Sequence, residues 1–321
     1  MEAADKTTKY KKRRSGIRKY INLARIKRFF YSTLRALIIM GVSYIILFPL
    51  ISQMSSSFMS RTDIWDQTVS MIPRNPTLTN YRLAWEYMEY PAAFLNSLLF
   101  TSTVSIFQLF SCTLVGYGFA RFEFTGKRIW FGLVIFSLVI PPQMLMTPLY
   151  LNFRFFTLGG IIPGEGLNLL ETSWTFILPA MLAVGFKNGL FIYIMRQFFK
   201  GMPGSLEEAA YVDGAGPFYT FFKIMLPGAI PGLVVVFLFS FVWQWNEYQL
   251  TSAFMGSRTL LPIMLEDLVP KVLGNQYMHA PEEASLITNT GSILLLAPLV
   301  ILYTFLQRYF IESVERTGIT G

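Results

Sequence analysis

Six apolar stretches, near Ala36 to Met54, Phe94 to Phe119, Ile129 to Leu151, Trp174 to Ile194, Gly228 to Phe254 and Leu286 to Tyr309, set the terms on which this chain can fold. At about 1.5 Å of rise per residue, each is long enough as a helix to cross a hydrocarbon core of about 30 Å. Such a core offers the backbone no water, so every N–H and C=O must find its partner within the segment, and helix is the solution for separate spans. Composition agrees: 53% of residues are hydrophobic and 14% charged, whereas soluble domains carry about a quarter charged residues. The expectation is an all-α integral membrane protein with six transmembrane helices. The first span begins late and no small-residue cleavage site follows it, so it reads as a retained helix and not a signal peptide.

Charge sets the orientation. Twelve Lys or Arg lie between Lys6 and Arg35, against Glu2 and Asp5 as the only acids at that end. Sorted by the six spans, twenty of the 27 basic residues fall in the amino-terminal arm, the Arg121 to Arg128 turn, the Arg196 to Lys223 loop and the carboxyl tail. The opposite loops hold Arg61, Arg74, Arg82, Arg154, Arg258 and Lys271, and Lys187 sits within the fourth span. The positive-inside rule then places both chain ends and the loop between spans four and five in the cytoplasm. The domain expectation is a basic cytoplasmic arm over 1–30 and a transmembrane domain over 31–321. The net charge of +8 reports topology and anionic lipid, with no nucleic-acid partner implied. The stretch from Ile17 to Arg28 reads equally as a basic amphipathic helix on the inner leaflet or as a tail that only sets orientation. Cys112 is the one cysteine, which rules out an intramolecular disulfide or a thiolate metal cluster. His279 stands alone as a histidine, so no metal site is expected.

The loop from Met202 to Pro231 carries the most information. Ser205 followed three residues later by Glu208 has the capping-box spacing, so a short helix is expected from there. It should stop at Asp213-Gly214-Ala215-Gly216-Pro217, where two glycines and a proline break helical geometry. A second amphipathic piece, Phe218 to Leu226, leads to Pro227. The pattern Glu208-Ala209-Ala210, two residues, Asp213-Gly214-Ala215, then Ile224, Leu226-Pro227 and Pro231 resembles the EAA loop of permease subunits of binding-protein-dependent type I ABC importers. Pro73 to Tyr81 resembles the Pro-Thr-Leu-x-Asn-Tyr element of the carbohydrate branch. Trp245-Asn246 resembles its Trp-Asn pair, and Gln307-Arg308 with a Gly-rich finish resembles its carboxyl end. The likeness spans residues 30 to 321.

The resemblance implies that Glu208, Ala209, Ala210, Asp213, Gly214 and Ala215 form a coupling helix seated on a cytoplasmic ATPase. It implies a second, homologous permease, two ATPase subunits, an extracytoplasmic solute-binding protein and a carbohydrate cargo, in a bacterial or archaeal cell membrane. The chain has no G-x-x-x-x-G-K-[ST], and Gly126-Lys127-Arg128 is a fragment only, so it cannot cradle ATP phosphates itself. No cofactor is expected on this chain; ATP and Mg belong to the partner ATPases. No G-x-S-x-G or H-E-x-x-H supports an enzyme. The other readings of the residues are a secondary carrier built from inverted repeats, for which no internal repeat is visible, and a membrane protein without transport.

For a solute pathway, the polar residues at membrane depth are the candidates: Gln143 beside Pro141-Pro142, and Gln244, Trp245, Asn246 and Glu247 at the end of the fifth span. Sugar hydroxyls would pair with amides and carboxylates while C–H faces pack on aromatic planes. Lys187-Asn188 interrupts the fourth span; it reads as pathway lining or partner contact, or as a kink between Gly185 and Gly189 with a structural ammonium. The outer loop with Trp85, Tyr87 and Tyr90 reads as a contact for the binding protein or as an interfacial helix.

Overall fold

The computed structural model describes residues 2–274 and 280–318, with side chains over 27–274 and 280–308. His279 and residues 319–321 of the Gly-rich finish lie outside the described residues, as do the side chains of the arm before Lys27. Helices form the fold; among the described residues the one β-type contact is the isolated bridge between Phe156 and Leu167. The chain divides into two compact units, Met1–Pro76 and Thr77–Gly321.

The first unit holds α1 (Glu2–Ser57) and α2 (Arg61–Trp65). The Lys27–Ser57 part of α1 is long and apolar enough to span a membrane. Its exposed Ile, Leu, Phe and Val side chains suit lipid. Ser60 caps α2, its Oγ accepting from the Asp63 N–H at 3.2 Å. The buried Asp63 carboxylate in turn accepts from the Asn75 backbone N–H at 2.8 Å and from Asn75 Nδ2 at 3.0 Å, closing the loop that follows α2. Those bonds hold the Asp63 carboxyl below the usual carboxylate range.

The second unit contains α3 (Thr79–Tyr87), α4 (Tyr90–Arg121), α5 (Lys127–Ser137), α6 (Pro142–Arg154), α7 (Trp174–Met181) and α8 (Asn188–Gly201). The short α9 (Ser205–Val212) and α10 (Pro217–Thr220), a π turn (Phe221–Met225) and α11 (Leu226–Gly228) follow. Then come α12 (Ile230–Trp245), α13 (Gln249–Met255), α14 (Leu261–Leu273) and α15 (Pro281–Gly318).

Straight spans are fewer than the apolar pattern suggests. Three helices are long and apolar enough to cross a membrane, or up to five segments if each bent pair is one span, among the described residues. The third stretch breaks before Pro141-Pro142, where two missing N–H groups end the ladder, and α5 and α6 meet at 100°. The fourth parts into α7 and α8, with Ala183 and Lys187 in left-handed conformations at φ 58° and 68°. The fifth begins at Ile230 after a 75° bend and stops at Trp245, short of Phe254.

Helix α4 is the axis of this unit. Its first half, from Ala93 to Val104, packs in one apolar cluster with Phe176, Trp245, Phe254 and Leu268. Its second half, from Cys112 to Phe119, packs in another with Phe191, Phe199, Phe221 and Met225. Gly116 makes the close approach to α8 possible, since a Cβ there would stand 2.7 Å from Met195 Cβ and 3.0 Å from the Arg196 backbone nitrogen.

A polar belt separates the two clusters. Gln108 Nε2 donates to the Phe186 carbonyl at 3.0 Å and to Asn188 Oδ1, while Ser240 Oγ donates to Gln108 Oε1 at 2.6 Å. Ser111 Oγ donates to the Ala180 carbonyl at 2.5 Å. The break between α7 and α8 frees carbonyls that the helix would have used, and side chains of α4 take them up. One lone amide thus ties α4, α8 and α12 at the level of the break.

Candidate functional site

The connection from α8 to α12 is built around α9. Gly204, already in helical conformation, caps α9 without a side-chain bond, and its carbonyl accepts from the Glu207 and Glu208 N–H groups at 3.0 and 3.1 Å. Ser205 is the first helical residue, so the expected Ser205–Glu208 capping box does not form. The stop falls where it was expected. Gly214 takes φ +80°, its N–H bonds the Tyr211 carbonyl at 3.1 Å, and the Ala215 N–H bonds the Ala210 carbonyl at 2.9 Å. These are the two bonds of a Schellman motif, with Asp213 as C-cap and glycine at the left-handed position. The expected second amphipathic piece, Phe218 to Leu226, is α10 running into the π turn.

The glutamates of α9 divide their work. Glu207, only 8% exposed, turns into the unit, while Glu208 and Ala209 face out and Ala210 is buried. Tyr117 Oη donates to Glu207 Oε1 at 2.7 Å. Arg121 Nε lies 3.0 Å from Glu207 Oε2, an ion pair whose N–H does not point along the contact. Arg121 Nη2 also donates to the Met202 carbonyl at 2.8 Å, holding the entry to the loop. The ring of Tyr117 is fixed by Phe199, Phe221 and Phe122, with centroids 5.2, 4.7 and 5.6 Å away. Sequence reasoning passed over Glu207, Tyr117 and Arg121; the available signal was that two adjacent glutamates on a short helix cannot face the same way.

Outside that anchor the loop is open. Val212 is 87% exposed and Phe218 82%, and Tyr211 and Tyr219 are exposed as well. These are large apolar and aromatic side chains left exposed on a connection between helices.

At the far end of α12 the polar candidates gather near the break. Lys187 Nζ lies 3.7 Å from Glu247 Oε2 and 4.9 Å from the Trp243 ring centroid. Glu247 Oε1 accepts from the Leu250 N–H at 3.3 Å, opening α13. Gln143 Nε2 donates to Gln249 Oε1 at 3.1 Å, linking α6 to α13, and both side chains are exposed. Asn246 is exposed and bonds the Val242 carbonyl at 2.8 Å, while Gln244 is half-buried with its Nε2 unbonded. Two residues expected along a pathway are instead packed inside the chain. Asn188 belongs to the Gln108 belt, and Trp245, 1% exposed, lies against Phe94 and Phe241 with its indole N–H on the Leu295 carbonyl at 3.0 Å.

With this geometry in hand, known proteins supply the frame. Residues 113–316 match the family model of the binding-protein-dependent transport system inner membrane component. The arabinooligosaccharides transport system permease protein AraQ of Halalkalibacterium halodurans is 30% identical over 87% of this chain and 93% of its own length. The diacetylchitobiose uptake system permease protein NgcG of Streptomyces coelicolor is 29% identical over 85% of this chain and 84% of its own. In fold, the chain is similar to a bacterial ABC transporter involved in the import of the acidic polysaccharide alginate, with a TM-score of 0.67 over 88% of this chain and 96% of that one, at 21% identity. The matched stretch contains α9, the π turn and the α7–α8 break. This chain belongs to the family of binding-protein-dependent transport system inner membrane components, the permease subunits of ABC importers.

Proposed function

We propose that this chain forms half of the translocation pathway of an ATP-driven importer for a carbohydrate, an oligosaccharide in the first instance. A second, homologous permease supplies the other half. Two cytoplasmic ATPase subunits bind ATP and Mg and provide the energy, and an extracytoplasmic binding protein delivers the solute across the outer face of a bacterial or archaeal cell membrane. In this reading the bent helix pairs and the α7–α8 break are membrane spans, giving six with both ends cytoplasmic. Twenty basic residues on that side against six on the other support the orientation. The saccharide names of the relatives support the cargo class.

One observation carries the coupling role. Helix α9 spends Glu207 and Ala210 on its own chain and leaves Glu208, Ala209, Tyr211 and Val212, with Phe218 of α10 beside the turn, to something else. The Schellman turn at Asp213-Gly214-Ala215 ends the helix at a fixed point, so the exposed surface has a defined shape. ATPase closure would move this helix, and rigid packing would pass the movement to the membrane helices, changing which side has access. The exposed amides Gln143 and Asn246 and the Lys187–Glu247 pair, with Gln244 behind them, are the groups offered to sugar hydroxyls, while Trp245 and Asn188 set their positions from inside.

The test is purification of the tagged chain from its own membrane in mild detergent. An ATPase pair and a second permease should co-purify, and the complex should hydrolyse ATP faster when its binding protein and an oligosaccharide mixture are added. Solute flux by the chain alone, without any ATPase, would point to a secondary carrier.

A further inference from the structure

Helix α9 is joined to its covalent neighbours through Gly204 on one side and Gly214 and Gly216 on the other, and these glycines carry no side chain to tie the links to the neighbouring helices. A push on α9 would be absorbed there unless a second, stiffer contact exists. Apart from the Ala210 methyl, the buried contact of α9 is the Glu207 carboxylate, and it is held by two residues one helical turn apart on α4, Tyr117 and Arg121. A carboxylate this buried is costly to leave unpaired, so α9 cannot move away from α4 without losing both partners. The Tyr117 ring is locked by residues of α8 and the π turn, which makes the end of α4 a fixed socket. Farther along α4, Gln108 and Ser111 grip the carbonyls at the α7–α8 break, next to Lys187.

We infer that Tyr117, Arg121 and Glu207 form a latch that transmits movement of α9 directly into α4, making Tyr117 and Arg121 positioning residues for coupling. The inference rests on the proposed coupling role of α9. The latch makes α4 a lever. Its cytoplasmic end follows α9 through the Glu207 carboxylate, and its middle bears on the belt that shapes the interrupted fourth span.

The experiment uses the full importer in liposomes, with Cys112→Ser removing the one native thiol of this chain, Tyr248→Cys as a reporter beyond the end of α12, and labelling read on this chain alone after the subunits are separated. Maleimide labelling of the reporter is measured with and without ATP and vanadate, alongside phosphate release. Glu207→Gln and Tyr117→Phe are compared with Glu123→Gln, which alters only an exposed turn. The expected result is that Glu207→Gln keeps phosphate release but loses the ATP-driven change in labelling. Tyr117→Phe, which removes one oxygen and one charge-assisted bond, should weaken the change by roughly tenfold. Arg121→Lys, which keeps the charge, should restore part of what Arg121→Gln loses. Labelling changes in Glu207→Gln and Tyr117→Phe equal to the unaltered chain would overturn the latch, and so would proportional loss of phosphate release and labelling in Tyr117→Phe. If the unaltered importer shows neither ATP hydrolysis nor any labelling change, the proposed function fails instead.

Discussion

Replacing Gly214 separates what the turn does for the fold from what its surface does for a partner. Gly214 sits at φ +80°, and a Cβ built there meets no atom within 4 Å. Any L residue therefore suffers the left-handed backbone penalty of about 1–2 kcal/mol and no clash inside the chain. Against a total stability of about 5–15 kcal/mol that leaves the molecule folded. It raises opening of the Schellman turn by roughly five- to thirtyfold, since about 1.4 kcal/mol is a factor of ten. Gly214→Ala and Gly214→Trp share this penalty and differ only in what projects into the open space. Both should insert and melt at nearly the same temperature in detergent. ATP-driven uptake should persist in part in Gly214→Ala and be lost in Gly214→Trp, because the indole occupies the surface offered to the ATPase. Equal uptake in the two variants would refute the docking argument, and failure of Gly214→Ala to insert would refute the assignment of the penalty to backbone strain alone.

Three further outcomes follow from particular contacts. Gly116→Val should lower the melting temperature through overpacking of about 1–3 kcal/mol, because Met195 Cβ and the Arg196 backbone cannot both move aside; Gly118→Val, with nothing within 4 Å, should not. Asp63 is a depressed carboxylate, so its contribution is complete above the unfolded value near pH 4 and is lost as pH falls through the folded one. Limited proteolysis of 58–76 should therefore accelerate in the unaltered chain only as the pH is taken below the ordinary carboxylate range, while Asp63→Asn is cut readily even at neutral pH. At the α7–α8 break, Lys187→Met and Glu247→Gln should each lower the melting temperature in detergent more than the two together, since either alone leaves a partly buried charge without its partner.

Much of this was legible in the residues. The apolar lengths announced membrane helices, Asp213-Gly214 announced the end of α9, and Gly185 with Gly189 around Lys187 announced the break in the fourth span. What escaped was the set of contacts between distant segments. Ser205 and Glu208 have the spacing of a cap, yet the helix starts from Gly204 and the inward glutamate is Glu207, because its partners Tyr117 and Arg121 lie on α4. Local spacing cannot report a partner that far along the chain. Trp245 has the chemistry of a sugar platform, but its indole N–H is turned inward onto the Leu295 carbonyl of α15. The 100° bend between α5 and α6 hides in a continuous apolar run, where Pro141-Pro142 is its one trace. Gln108 was the most readable of the missed residues: a lone amide within an apolar span needs partners, and the broken helix beside it supplies them.

The central claim is that the outward face of α9 seats on an ATPase. A photoreactive amino acid at Val212, the most exposed of the large apolar side chains of that helix, tests it in intact membranes. Irradiation should join this chain to an ATPase subunit, with the yield changing when ATP is trapped, while the same probe at Ile161, in the loop between α6 and α7, should not. Crosslinks from Val212 to lipid or to its own chain alone, with no ATPase captured in either nucleotide state, would contradict the account.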